Sequence, residues 1–180
     1  MSKMILLFIF SLFTHNFNAQ ECTPTPLPYV EDFESEIVNQ IPKDTHRETM
    51  TGNSWAVKKC VTGTYNGNVL AYTPAYERAN AWFFSKPVYL EAGRNYTIEY
   101  LYGNNSPFTS EKFKVTLGTR PNAASATITV QQHTNVKGAN LNREVCCTCV
   151  PQSGIYYIGI KAESAAYQGE LYIDELRVSE

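Results

Sequence analysis

Histidine is scarce in this chain: three occur in 180 residues, and only His46 and His133 lie beyond residue 20. A Gly-x-Ser-x-Gly elbow is also missing, so an imidazole-activated nucleophile has almost no material to be built from. Charge of either sign is modest, 15 Lys and Arg against 17 Asp and Glu for a formal net charge of −2. The basic residues stand singly or in pairs such as Lys58-Lys59, without the stripe that a phosphate backbone demands, and this argues against nucleic acid as a partner. Past the first twenty residues no apolar run is long enough to span a bilayer, so membrane insertion is not expected. Helical periodicity is nearly absent, and there is no internal repeat or low-complexity stretch.

Residues 1–20 read as a secretory signal peptide. Lys3 supplies the positive start, and the run from Met4 to Phe13 is an apolar core of signal-peptide length. The remaining 21–180 fit a single domain with a real core. All five cysteines lie there: Cys22, Cys60, Cys146, Cys147 and Cys149. In an oxidising compartment they allow two disulfides and one leftover thiol, with Cys22 or Cys60 as partners of the 146–149 cluster and the pairing left open. The cluster has no histidine at ligand spacing beside it, which disfavours zinc.

What the chain has in plenty is β-type runs broken by Gly, Asn and Pro. Ten strands are predicted, over 29–33, 55–61, 68–73, 81–90, 95–102, 112–117, 126–133, 143–149, 154–162 and 170–178. Tyr96, Ile98, Tyr100 and Tyr102 share one strand face, as do Phe113, Val115 and Leu117. Strands with one dry face make an all-β, two-sheet antiparallel sandwich. Turns are predicted at Glu91-Ala-Gly-Arg94, at Pro151-Gln-Ser-Gly154 and at Asn66-Gly67. The last strand changes parity, with Leu171 and Ile173 in one phase and Leu176 and Val178 in the other, so a bulge is predicted near Asp174-Glu175. The longest irregular stretch is 34–54. Trp82, Phe83, Phe84 and Trp55 are expected between the sheets. His46 and His133 are expected to be ordinary surface residues.

The order of the motifs carries a resemblance. Glu31-Asp-Phe-Glu34, then Ser54-Trp55, then the run from Ala81 to Thr97, then the run from Glu111 to Gly118, then Gly154-Ile-Tyr-Tyr-Ile-Gly-Ile160 and Leu171-Tyr-Ile-Asp-Glu-Leu176 together resemble the cleaved-adhesin family. These are jelly-roll domains of the gingipain adhesin and choice-of-anchor type, similar to MAM domains. The resemblance implies a jelly-roll sandwich, a secreted or cell-surface setting, adhesion or ligand binding without catalysis, and structural calcium where the first and last strands meet. Carried over by position, the calcium ligands are Asp32, Glu34 and Asp174. Glu175 stands where the family typically has a second Asp.

Loop aromatics and amides are the ligand-contact candidates: Tyr76, Tyr102 with Asn104, Asn105 and Phe108, and Tyr167 with Gln168. An aromatic platform edged with amides suits an extracellular glycan or protein surface. Two alternatives are an accessory domain of a secreted hydrolase or small glycan-active enzyme, and a purely structural domain of a longer surface protein. Two opposed carboxylates in a cleft away from the termini would favour the enzyme.

Overall fold

The computed structural model describes residues 23–180 apart from 63 and 64. The predicted leader and Cys22 lie outside the described residues. Twelve strands are present among them: β1 (Tyr29–Glu31), β2 (His46–Thr51), β3 (Trp55–Thr62), β4 (Tyr65–Tyr72), β5 (Asn80–Phe84), β6 (Val88–Leu90), β7 (Tyr96–Asn104), β8 (Glu111–Gly118), β9 (Ile128–Val136), β10 (Asn142–Thr148), β11 (Gly154–Ala162) and β12 (Leu171–Ser179). One sheet runs β10-β7-β12-β4-β3 with β1 added to β12, and the other runs β2-β5-β11-β8-β9 with β6 added to β11. The strand pairs are antiparallel, and the result is a two-sheet jelly-roll sandwich.

Alternation builds the core. Tyr96, Ile98 and Tyr100 on β7 face Phe113, Val115 and Leu117 on β8 in one buried cluster, joined by Trp55, Phe83, Ile158 and Leu171. Each large apolar side chain so buried stabilises the fold by about 1.5–3 kcal/mol. Trp55 also satisfies its indole N–H, which donates to Ala81 O at 3.0 Å.

The chain ends meet. β1 lies along β12 with Tyr29 opposite Val178 and Glu31 opposite Leu176. The parity change predicted in the last strand is a bulge: the β12–β7 register shifts between Asp174 and Arg177, and Glu175 takes a left-handed φ of 46°. That extra residue returns Leu176 and Val178 to the interior, where both are fully buried.

Several expectations need correction. β2 lies inside the stretch expected to be irregular. Its sequence, His-Arg-Glu-Thr-Met-Thr, is exposed at five of six positions, so an edge strand there leaves no hydrophobic alternation to read. The predicted 81–90 strand is two strands, because Ser85-Lys86-Pro87 breaks it: Pro87 has no N–H for the ladder. Asn66-Gly67 is not a turn but part of β4, with Gly67 opposite Cys60. Gly93 does adopt positive φ, 81°, whereas Gly154 simply opens β11.

Only Phe83 of the Trp82-Phe83-Phe84 run points between the sheets. Trp82 and Phe84 stack on the opposite face, at 5.6 Å and 5°, packed with Tyr157 and with Ala123 and Ala126. His133 is not a surface residue, since its side chain is only 10 % exposed. It packs among Tyr100, Tyr102 and Phe113, with Nε2 at 2.8 Å from Tyr100 Oη, and burial lowers its pKa.

The expected disulfides do not form among the described residues, where Cys60, Cys146, Cys147 and Cys149 are free. The topology gives the reason. Cys60 is on β3 and Cys146 and Cys147 are on β10, the two opposite edges of one sheet, several strand spacings of about 4.8 Å apart.

Candidate functional site

Three loops at one end of the sandwich build an open cleft. The β4–β5 loop brings Tyr76 and Glu77, the β11–β12 loop brings Tyr167 and Gln168, and the β2–β3 turn brings Gly52 and Asn53, around a volume of about 590 Å³. Tyr76 is 84 % exposed and Tyr167 70 % exposed. Their rings meet edge to face, 5.6 Å apart at 69°. Large aromatic surface left in water is what a binding site provides and a core avoids.

The frame under these rings is held by hydrogen bonds between loops. The Tyr167 N–H donates to Ala75 O at 2.9 Å, which ties the two tyrosine loops together. Asn53 Nδ2 donates to Pro74 O at 2.6 Å, and Asn53 N donates to Tyr72 Oη at 3.2 Å. Gly52, at φ 83°, is required here because a Cβ would run into the Tyr72 hydroxyl. Tyr167 itself sits at φ 60°, a strained conformation for a large side chain that the surrounding loops maintain.

The structure gathers part of the predicted ligand set. Tyr76, Tyr167 and Gln168 share the cleft. Gln168 also works as a brace, accepting from Ser110 N at 2.9 Å. Asn104 is fully buried and bonds Thr109 O and Val136 O through Nδ2. Asn105 latches onto the next loop, its Oδ1 accepting from Glu170 N at 2.9 Å. These two amides support the rim rather than face a ligand. Phe108, 92 % exposed, projects from the same β7–β8 loop. Tyr102 lies elsewhere, half-buried against His133 with ring centroids 4.2 Å apart. Sequence reasoning missed Gly52, Asn53 and Glu77. The Gly-Asn pair after Thr51 is a turn signal that could have found the first two.

A second cluster forms where the termini meet. Asp174 is 2 % exposed and accepts the Tyr65 hydroxyl through Oδ2. Glu34 Oε1 lies 3.4 Å from the same hydroxyl and accepts from Asn68 N at 3.2 Å. Gly67 leaves room for this arrangement, since a Cβ there would collide with Glu34 Oε1. Burial pushes the Asp174 carboxyl up to about 7, with Glu175 and Glu34 adding to the rise.

The other two predicted acids take different positions. Asp32 Oδ1 accepts from Glu34 N at 3.2 Å, closing a local turn, and Glu175 is exposed on the bulge. Among the described residues no three His, Cys, Asp or Glu side chains form one metal-holding group. The pair Glu34 and Asp174 is therefore the centre of any terminal cation site.

Neither a protein-family model nor a curated protein matches the chain. Solved structures do. The K2 cleaved adhesin domain of Lys-gingipain superposes with a TM-score of 0.68 at 16% identity, covering 84% of this chain and 99% of that one. The fold is that of a cleaved-adhesin domain. The K1 domain of the same protein, from Porphyromonas gingivalis W83, gives 0.66 at 13% identity over 84% of this chain and 96% of that one. The module TmCBM61, solved in complex with β-1,4-galactotriose, gives 0.58 at 11% identity over 82% and 92%. At such identities the likeness is one of fold. Among the described residues no helix is long and apolar enough to cross a membrane.

Proposed function

We propose that this chain is a secreted or cell-surface binding module, without catalysis, that holds an extracellular glycan in the cleft between Tyr76 and Tyr167. The observation that carries the reading is the pair of exposed rings, 5.6 Å apart, at the mouth of a cleft edged by Asn53, Glu77 and Gln168. A sugar ring offers an apolar C–H face to an aromatic ring and hydroxyls to amides and carboxylates, and this edge has both. Among the described residues Glu77 is the one carboxylate lining the cleft. Glycoside hydrolysis as usually performed takes two flanking carboxyls, so this geometry favours holding over cleaving. The likeness to adhesin and carbohydrate-binding modules supports the same reading.

Calcium at the termini is part of the proposal. The residues fit a hard, oxygen-preferring cation: Glu34 and Asp174 bring two carboxylates together, Gly67 leaves the space, and Asp174 is buried without a basic partner. A bound cation would neutralise that pair and fix β1 and the Glu34 turn to β12.

Titrating oligosaccharides of varied linkage into the protein, beside Tyr76→Ala, tests the glycan reading. Saturable binding lost in the variant supports it. A protein ligand captured through the same cleft, with no glycan bound, would replace it.

A further inference from the structure

A recess of about 260 Å³ borders the cleft, with Thr51, Arg78, Asn80, Lys161 and Glu163 in its lining. The two adjoin through the chain itself: Thr51 is followed by Gly52 of the cleft, and Arg78 is preceded by Glu77 of the cleft. The Arg78 backbone is fixed at this border. Its carbonyl accepts from Thr51 Oγ1 at 2.8 Å, and the N–H of the next residue, Ala79, donates to Ser164 O at 2.9 Å. The Arg78 side chain is exposed, and among the described residues its guanidinium has neither an ion-pair nor a hydrogen-bond partner.

Charge around the recess is unbalanced. Lys161 stands opposite Lys114 in the β11–β8 ladder, and the two ammonium groups lie over the Trp82 ring, 5.5 and 5.6 Å from its centroid, on the outer face of that sheet. They share one carboxylate, Glu163, at 2.9 Å from Lys161 and 3.9 Å from Lys114. Lys112 is exposed two residues before Lys114 on β8, and its carbonyl accepts from Glu163 N at 2.8 Å. Glu48 is on the same face, opposite Trp82, but is turned to accept from Ala123 N at 2.7 Å. Arg78, Lys112, Lys114 and Lys161 therefore gather around Glu163 in a chain whose formal net charge is −2. A local excess of this sign attracts an anion, and the guanidinium fork of Arg78 matches the paired oxygens of a carboxylate or a sulfate.

We propose that the glycan held between Tyr76 and Tyr167 is acidic, and that its carboxylate or sulfate group is bound by Arg78 and Lys161 in the adjoining recess. The inference rests on the glycan reading of the cleft and narrows it to one class of saccharide. A recess of this volume takes a single charged substituent rather than a polymer, and consecutive residues, about 3.8 Å apart, bring its lining within reach of an oligosaccharide in the cleft. Asn80 adds an amide to the recess, while Glu77 on the cleft side accepts from neutral hydroxyls.

The test compares two pairs of probes that differ only in charge: oligogalacturonate against its methyl ester, and a sulfated galactan oligosaccharide against the same oligosaccharide unsulfated. Each is titrated into the wild type, Arg78→Gln and Tyr76→Ala. The expected result is that the wild type binds the charged member of at least one pair about tenfold more tightly than the neutral member. That preference should vanish in Arg78→Gln and shrink as salt is raised, and the pair that shows it tells carboxylate from sulfate. Equal affinity for charged and neutral members overturns the inference and leaves the glycan reading standing, as does a preference that persists in Arg78→Gln. If Arg78→Gln fails to fold, the salt series on the wild type decides: a preference indifferent to salt overturns the inference. Charged members bound through Arg78 but with undiminished affinity in Tyr76→Ala would remove the cleft from the proposal and overturn it in this form. A poly-glutamate peptide bound through Arg78, with no saccharide of either pair bound, would replace the acidic glycan with an acidic protein segment.

Discussion

Tyr76 and Tyr167 stand on different loops, yet their rings pack edge to face 5.6 Å apart, because the Tyr167 N–H is bonded to Ala75 O. The pairing is therefore imposed by the backbone and does not require a ligand. Both rings remain mostly in water, so removing either should spare the fold while removing contact surface. Tyr76→Ala is expected to weaken glycan binding about tenfold or more, roughly 1.4 kcal/mol, with the melting temperature unchanged. Tyr167→Gly should lose binding similarly and hold or gain about 1 kcal/mol of stability, since it relieves the φ of 60°. Titration beside thermal unfolding of both variants checks this, and a collapse of stability in Tyr76→Ala would show that the ring is structural.

Asp174 and Glu111 give the metal-free protein an unusual pH dependence. Both carboxyls are raised to about 7 in the fold, each chiefly by burial. Each therefore supports folding most when protonated. That contribution is complete below the ordinary carboxylate range and is lost as pH rises through about 7. In chelator, stability should fall between pH 5 and pH 8 by an amount on the order of a few kcal/mol, and calcium should flatten the slope. Asp174→Asn should remove part of the slope by itself. Melting curves across that range would refute the expectation if the chelated wild type were as stable at pH 8 as at pH 5.

The bulge at Asp174-Glu175 was legible in the sequence, because a parity change along one strand is a local signal that tertiary packing leaves intact, whereas the meeting of the two ends came from the family resemblance. Strand β2 was not legible: an edge strand wet on both faces carries no alternation. Asn66-Gly67 misled for a related reason. Its glycine answers to the bulk of Glu34 and Tyr65, not to a turn, and only the fold brings those side chains to it. Tyr76, Tyr167 and Gln168 could be named as loop residues, but their convergence depends on three loops meeting. Glu111 read as one more acid, since its burial is a property of the loops above it.

Gly67 provides a direct handle on the terminal pair. A methyl group at this position would run into Glu34 Oε1 and crowd the Tyr65 hydroxyl, so Gly67→Ala should push Glu34 away from Asp174. Overpacking of this kind costs about 1–3 kcal/mol. If calcium binds there, its stabilising effect should shrink in the same variant. Unfolding in calcium and in chelator separates the two effects: a loss of equal size in both would mean that Glu34 contributes nothing to cation binding.

The cysteines allow a test of the sheet order. Cys60 is 2 % exposed and Cys146 8 % exposed, while Cys147 and Cys149 are exposed. Cys146 has a second protection: burial and the neighbouring Glu144 raise its thiol to about 11, which leaves almost no reactive thiolate at neutral pH. Brief alkylation of the folded protein at pH 7.5, a mild condition of about one unit below a free thiol's pKa, is expected to label Cys147 and Cys149. Cys60 and Cys146 should react only after unfolding. Peptide mass mapping reads the pattern. Fast labelling of Cys146 would mean that β10 is not seated against β7 as the register Cys146 opposite Ile98 requires, and a native Cys60–Cys147 crosslink would contradict their placement on opposite edges of one sheet.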